Sequence, residues 1–149
     1  MSYQWQVLSF DELSTTQLYK IMQLRQRVFV VEQDCIFLDL DGLDQEAFHT
    51  LCWRGNELIA YQRSLPPGCG FPDSALGRIT VAPEARGLSL GRELVQRGLD
   101  YNFSSWPDHD IQIGAQVYLE SFYSSLGFVS CNDEYIEDGI PHIHMIKPR

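Results

Sequence analysis

Hydrophobic positions recur along this chain with two different periods, and the changes between them predict its elements. The alternating run YQWQVLS predicts a first strand. Ser14 and Gln17 form a capping box ahead of apolar residues at helical spacing, which predicts a helix over about residues 15–30. Two β-rich runs, FHTLCWR and ELIAYQRSL, flank Gly55 and Asn56 and predict a hairpin.

The second half of the chain continues this alternation of strands and helices. LGRITVAP predicts a strand that Pro83 stops, a helix follows over about residues 90–103, and DIQIGAQ predicts a short strand. VYLESFYSSLGF predicts a helix with Gly127 as its cap, before two final strands around Asp138 and Gly139. The order β, α, ββ, β, α, β, α, ββ contains no linker or repeat, so we expect one mixed α/β domain over residues 1–149.

The composition is typical of a folded protein and narrows the range of partners. Hydrophobic residues make up 44% of the chain, which argues against disorder. The net charge of −9 argues against nucleic acid as a partner, because phosphates repel an acidic surface. No apolar run approaches the ~18–20 residues of a membrane span, and the first residues do not resemble a signal peptide. We therefore expect a cytoplasmic protein without a membrane partner.

Charge is distributed unevenly along the chain, and two segments differ from the rest. Residues 63–97 carry five arginines against three acids, a net charge of +2 that suits a small anionic ligand. Residues 32–46, the acidic loop, carry six acids and no base. Most such runs are solvated, but apolar residues such as Ile36 and Phe37 alternate with these acids. We therefore expect the acidic loop to fold onto the rim of a pocket.

The stretch ARGLSLGREL, residues 85–94, is a candidate anion site. Arg86, Gly87 and Gly91 stand between a strand and a helix, where unpaired N–H groups and the positive end of the helix dipole meet. Glycine lets a ligand approach the backbone, yet Ser89 occupies the middle of the loop. The segment matches neither GxGxxG nor the nucleotide-binding P-loop. Taken alone, it fits an ordinary helix start and a pyrophosphate cradle equally well.

A second pattern supports the cradle, because together the two resemble the GNAT superfamily of acyl-CoA-dependent N-acyltransferases. That family's Q/R-x-x-G-x-G/A loop is matched by Arg86 at the first position and Gly91 at the last, with Ser89 in place of the middle glycine. The family's N-x-x-A-x-x-F-Y motif is matched by a segment that begins at Gln116 and ends at Tyr123, followed by a Gly-Phe pair.

The likeness extends over nearly the whole chain and points to the ElaA-like subgroup of that superfamily. The segments that carry it are LRQRVFVVEQ, DGLD, the strand around His49, and YIEDGIPHI. The resemblance implies a single-domain GNAT fold: a mixed, mostly antiparallel twisted sheet of about seven strands, flanked by helices. It also implies that the fourth and fifth strands splay apart and admit the pantetheine arm of acetyl-CoA.

The resemblance further implies an N-acetyltransferase that moves the acetyl group of acetyl-CoA to a primary amine in a ternary complex. A backbone N–H near Thr80 or Val81 would stabilise the thioester oxygen. Tyr123 would act as the acid that stabilises or protonates the departing thiolate, although a helix-packing role for the Phe-Tyr pair is the alternative. The residues expected to contact the cofactor are Ile79, Thr80, Val81, Arg86, Gly87, Leu88, Ser89, Leu90, Gly91, Arg92, Gln116, Phe122 and Tyr123.

The residue that deprotonates the amine stays open at this point. Glu32, His49 and His142 are candidates, and a chain of water molecules is a further one. A histidine within a strand, such as His49, is more often a packed and hydrogen-bonded residue than a base. His142 and His144 share one face of a strand, but no third ligand stands at a known spacing, so we expect no metal.

The acceptor is expected to be a cationic amine, because acidic segments are predicted to rim its side of the pocket. Glu32, Asp41, Asp44 and His142 are the residues expected to bind it. A CoA-binding regulator with this fold but little or no turnover is the main alternative, and a purely structural glycine loop is another. The resemblance also makes a homodimer possible, although no apolar stripe in the sequence marks an interface.

Overall fold

The computed structural model describes residues 2–149 as one seven-stranded sheet with helices on both faces. The order of strands and helices is the one expected from the sequence. The elements are β1 (Gln4–Ser9), α1 (Thr15–Arg25), β2 (Phe48–Arg54), β3 (Glu57–Leu65), β4 (Ser74–Val81), α2 (Leu90–Ser105), β5 (Ile111–Gln116), α3 (Glu120–Ser125), β6 (Val129–Glu137) and β7 (Ile140–Lys147).

The first helix begins where the capping box predicts, and its π-helical continuation ends later than expected. The Gln17 N–H donates to Ser14 Oγ at 3.0 Å, and the Ser14 N–H donates to Gln17 Oε1 at 2.8 Å. After α1 the chain continues as a π-helical segment over Gln26–Glu32, beyond the predicted end at residue 30. Such wider turns are uncommon and often occur at functional sites. This one brings Val28 and Glu32 to the wall of the cavity described below.

The sheet has the strand order β1-β2-β3-β4-β5-β7-β6, and its only parallel neighbours are β4 and β5 within residues 2–149. These two strands pair only at their beginnings, through Ser74 with Ile111 and Ala75 with Gln112. Beyond those residues the strands diverge. The mixed sheet with splayed fourth and fifth strands is therefore confirmed, and the divergence opens a gap through the middle of the sheet.

Helix α2 packs so closely on the sheet that its position is fixed. A Cβ added at Gly98 would lie 2.6 Å from Gln62 Nε2 and 2.9 Å from Leu76 Cδ2, so only glycine fits without a shift. Gln62 in turn donates to the Leu94 carbonyl at 2.6 Å. These contacts fix the middle of α2 against β3 and β4. Across residues 2–149, no helix is long and apolar enough to cross a membrane.

Candidate active site

A cavity of about 1120 Å³ occupies the gap between β4 and β5. This volume is slightly above the ~300–1,000 Å³ that is typical of small-molecule sites. The wall that we call the donor side is formed by residues 85–87 and 89–92 and by α3, which carries Phe122 and Tyr123. The opposite wall, the acceptor side, is lined by Cys35, Phe37, Phe71, Tyr135, Glu137 and His142.

The loop before α2 points backbone donors at the donor side. Because an α-helix leaves its first N–H groups without an intrahelical acceptor, those of Leu90, Gly91 and Arg92 are available to a ligand. The first helical bond here runs from the Glu93 N–H to the Ser89 carbonyl, and the Ser89 side chain does not cap the helix. Together with the dipole of the 16-residue helix, these groups form a site for an anion.

Ser89 adopts the left-handed conformation that explains why glycine suits its position. Its φ is +61°, and that of Gly87 is +83°. A residue with a Cβ is strained in this region by about 1–2 kcal/mol, and glycine is not. The Ser89 side chain is exposed and therefore does not obstruct the loop. The backbone at Ser89 already has the left-handed conformation that a glycine would adopt there.

The remaining loop residues differ in what they present to the cavity. Leu88 is exposed and does not line the cavity, so its predicted contact with the cofactor would be limited to its backbone. Arg92 donates to Ser125 Oγ at 2.7 Å and thereby ties α2 to α3. The position where a Gly91 Cβ would stand is 3.9 Å from Phe122 Cζ, so the helix start faces the α3 wall.

Arg86 and Glu32 form a bidentate ion pair at the mouth of the gap. Arg86 Nη1 and Nη2 each lie 2.7 Å from a Glu32 oxygen, and Arg86 Nε donates to the Val81 carbonyl at 3.1 Å. The hydrogen bonds from Arg86 lower the pKa of Glu32 below its usual value. A base that works near neutral pH needs a raised carboxyl pKa. The pairing therefore argues against the predicted role of Glu32 as the base.

Strand β4 presents a backbone donor to the gap at Val81. The Ala82 N–H donates to the Ile59 carbonyl of β3 at 2.8 Å. Since successive residues of a strand point their N–H groups to opposite edges, the Val81 N–H faces the gap and the Thr80 N–H faces β3. Ile79, Thr80 and Val81 all line the cavity, as the sequence predicts.

Tyr123 is buried at the base of the gap. Only 6% of its surface is exposed, and its ring contacts those of Phe122 and Phe128 edge-on. Burial raises the pKa of the Tyr123 phenol, so that it stays protonated at neutral pH. Phe122 and Gln116 also line the cavity, where Gln116 Nε2 lies 3.4 Å from Gln33 Oε1.

His142 lies on the acceptor side with a fixed tautomer. Its Nδ1 is 2.7 Å from the Ile140 carbonyl, and because a carbonyl can only accept, Nδ1 carries a proton. The neutral ring therefore has its lone pair on Nε2, which lies 3.8 Å from Glu137 Oε2. This arrangement leaves Nε2 able to accept a proton.

His49 lies away from the cavity, in contrast to His142. It is fully buried, accepts from the Tyr61 hydroxyl through Nδ1 at 2.6 Å, and donates to the Asp44 carbonyl through Nε2 at 3.0 Å. Burial lowers the pKa of His49, and the residue does not line the cavity. The structure contradicts a role as catalytic base, and the alternative of a packed, hydrogen-bonded histidine describes it.

Asp41 and Asp44 do not face an acceptor, which corrects their predicted role as substrate-binding residues. They belong to a buried charge network whose three arginines and three aspartates neutralise each other. Its members are Arg25, Asp39, Asp41, Asp44, Arg63 and Arg78.

The network fastens the acidic loop to the sheet. Arg63, only 3% exposed, donates to Asp41 at 2.8 Å and to Asp44 at 3.0 Å. Burial opposes the ionisation of both carboxyls, but the arginine hydrogen bonds outweigh it and hold the pKa of each below its usual value. Loop residues Cys35 and Phe37 still reach the cavity, so the expectation that this loop rims a pocket holds for them.

Sequence reasoning missed two aromatic residues of the acceptor side, namely Phe71 and Tyr135. They come from a loop and an edge strand, and no local motif connects them. One signal was present: Gly114 is an isolated glycine within a strand, which often marks a close approach by another group. Throughout residues 2–149, no three or more histidine, cysteine or acidic side chains converge as metal ligands.

Comparison with known proteins adds a family match and close relatives. Residues 16–148 match the family model of the acetyltransferase (GNAT) domain. The protein ElaA of Escherichia coli (strain K12) is 42% identical over 146 residues, covering 97% of this chain and 95% of that protein.

Solved structures agree with this match. The crystal structure of E. coli ElaA superposes with a TM-score of 0.92 at 40% identity, and covers 98% of this chain and 99% of its own. An acyl-CoA N-acyltransferase from Pseudomonas aeruginosa gives 0.94 at 37% identity with the same coverage. An aminoglycoside 6'-N-acetyltransferase complexed with coenzyme A gives 0.71 at 16% identity over 96% of each chain, a similarity of fold alone.

Proposed function

This chain belongs to the acetyltransferase (GNAT) family, and from that premise we propose that it transfers the acetyl group of acetyl-CoA to a primary amine in a ternary complex. The proposal rests on one observation: three kinds of chemical group surround the same gap. Unpaired loop N–H groups lie at its mouth, the Tyr123 phenol at its base and the His142 imidazole on its far side.

The donor side suits coenzyme A. The N–H groups at the start of α2 would hold the pyrophosphate, and the gap between β4 and β5 would take the pantetheine arm. The aminoglycoside 6'-N-acetyltransferase of the same fold is complexed with coenzyme A, which supports coenzyme A as the ligand here. Arg86 adds positive charge at the mouth, although it must share that charge with Glu32. Acetyl-CoA itself supplies the acetyl group as a reactive thioester.

In the transfer, the amine nitrogen attacks the thioester carbonyl, so that a C–N bond forms and the C–S bond breaks. The Val81 N–H donates to the carbonyl oxygen as negative charge develops there, and a fixed backbone donor needs no reorganisation to do so. The departing thiolate receives the Tyr123 proton, and His142 Nε2 takes the proton lost by the nitrogen. Exchange with solvent then restores both side chains.

We further propose that the acceptor is cationic. The acidic residues that support this proposal are not the ones expected from the sequence. The charges of Asp41 and Asp44 are neutralised, but Glu137 and Asp138 also line the acceptor side. Neither forms an ion pair with an arginine or lysine of residues 2–149. Their carboxylates would attract an ammonium group, which loses one proton to solvent before the neutral amine attacks.

A panel of primary amines tests the proposal, with acetyl-CoA as the donor and release of the CoA thiol as the signal. The panel should contain matched pairs that differ in charge, such as a diamine and its mono-acetylated form. We expect thiol release with at least one cationic amine and a matching acetylated product. Binding of acetyl-CoA without any turnover would support the CoA-binding regulator instead. Absence of acetyl-CoA binding would exclude both the transferase and the CoA-binding regulator.

A further inference from the structure

Tyr135 is a cavity residue to which the proposed chemistry gives no role. It lies on the edge strand β6, directly across from His142 on β7. The two rings stack with their centroids 5.7 Å apart and their planes 24° apart. Tyr135 thus covers the ring that carries the proposed proton acceptor, while 39% of its own surface stays exposed.

Gly114 of β5 provides the space for the Tyr135 hydroxyl. A Cβ built on Gly114 would lie 2.7 Å from the Tyr135 oxygen, closer than Cβ atoms are found in proteins. The φ of Gly114 lies outside the left-handed region, so its backbone does not require glycine. The close approach of the phenol is therefore what a side chain at this position would disturb.

The contact between Tyr135 and Gly114 lies beside the gap. Pairing of β4 with β5 ends at Ala75 and Gln112, two residues before Gly114. From β6, Tyr135 therefore reaches over β7 to the part of β5 where the gap has opened. Its ring lies on the same sheet face as His142, because the two are cross-strand partners.

We infer that Tyr135 is a positioning residue that acts through His142. The absence of a side chain at Gly114 leaves room for the Tyr135 hydroxyl and so permits the stack. The inference rests on the proposed function, in which His142 Nε2 accepts the proton of the amine. Two contacts then hold the imidazole: the Ile140 carbonyl fixes Nδ1, and the Tyr135 ring limits rotation of the plane. Without the ring, Nε2 loses its direction toward the gap.

Nuclear magnetic resonance of the imidazole nitrogens tests the contact without knowledge of the acceptor. The His142 signals are assigned by their loss in His142→Gln. We expect the wild type and Tyr135→Phe, which keeps the ring, to show a proton on Nδ1 only. Tyr135→Leu and Gly114→Ala should show a mixture of tautomers. Unchanged His142 signals in Tyr135→Leu would overturn the inference.

A double-mutant cycle in the amine assay tests whether the residue acts through His142. Tyr135→Leu should lower kcat about 10-fold with KM changed less than about twofold, because loss of orientation slows the chemical step. In the His142→Gln background the same change should have no further effect. Additive losses would show that Tyr135 acts independently and would overturn the inference.

The controls separate a failed inference from a failed fold or a failed proposal. Tyr19→Leu removes an exposed phenol from α1, outside the cavity, and should leave every signal unchanged. Melting temperature and acetyl-CoA affinity report folding of each variant. If the wild type transfers no acetyl group to any amine, the proposed function fails, while the tautomer measurement still decides whether the stack orients His142.

Discussion

The donor and acceptor sides of the cavity are built from different kinds of interaction. On the donor side the groups proposed to bind a ligand are the backbone N–H donors of Leu90, Gly91 and Arg92, which are contiguous in sequence. On the acceptor side, Phe37, Phe71, Tyr135 and His142 come from well-separated segments. A buried charge network, rather than any local motif, holds the acidic loop in place. One side therefore depends on local conformation and the other on tertiary contacts.

Because the acceptor side depends on tertiary contacts, we expect disruption of the charge network to cause the largest loss of stability. Arg63→Met leaves the buried Asp44 with one partner fewer, and removal of one member of a buried ion pair typically costs about 3–5 kcal/mol. We expect a loss of that size in the free energy of unfolding, measured with urea. Arg27→Met is the matched control, since it breaks an exposed pair with Glu84 worth at most about 1 kcal/mol. Equal losses would contradict the account.

The same network predicts how stability responds to acid. Arginine partners hold the folded-state pKa values of Asp41 and Asp44 below normal, whereas the unfolded chain takes up protons near pH 4. The stabilisation is therefore complete above about pH 5 and falls as the pH drops toward the folded pKa values. Asp41→Asn should be less stable at pH 7 and lose less between pH 6 and 3. Parallel curves would refute this assignment.

On the donor side, the largest expected effect is on turnover. Tyr123→Phe removes the proposed proton donor but keeps the ring that packs on Phe128, so folding should be preserved. We expect turnover to fall about 100-fold or more, with acetyl-CoA affinity within about twofold of the wild type. Tyr19→Phe, on the surface of α1, is the control. Full turnover in Tyr123→Phe would exclude the phenol as the acid.

Replacement of Glu32 is expected to change acetyl-CoA affinity by a smaller factor. The direction of that change shows whether Glu32 pairs with Arg86 or acts as the base. Glu32→Gln frees Arg86 for an anionic ligand, and since the pair is exposed, acetyl-CoA should bind only about two- to fivefold more tightly. Glu84→Gln breaks the comparable exposed pair with Arg27 and should not change affinity. If Glu32 were instead the base, turnover would fall about 100-fold or more and affinity would not rise.

Ser89→Gly is expected to have the smallest effect. Glycine relieves the left-handed strain at Ser89 but adds freedom to the unfolded chain, so a net gain of about 0.5 kcal/mol in unfolding free energy is expected. Acetyl-CoA affinity should stay within about twofold, because the loop already has the required conformation. Gly87→Ala, at φ +83°, should destabilise instead. A large gain in affinity for Ser89→Gly would show that the serine impairs the cradle.

The contrast between the two sides also explains what could be predicted from the sequence. Strand and helix order, the capping box at Ser14 and the loop at Gly91 depend on neighbouring residues, and each has a local signature. The partners of Asp41 and Asp44 are arginines distant in sequence, so a neutralised network was mistaken for a charged rim. Burial of His49 and the stacking of Tyr135 likewise arise only from tertiary packing.

The most direct test of the account is calorimetric titration of the protein with acetyl-CoA and with CoA at low and high salt. The account predicts one-to-one binding of both ligands that weakens as salt rises, because N–H groups and Arg86 hold a charged pyrophosphate at the start of α2. Absence of binding at either salt concentration would contradict it, and would leave the loop before α2 as a purely structural feature.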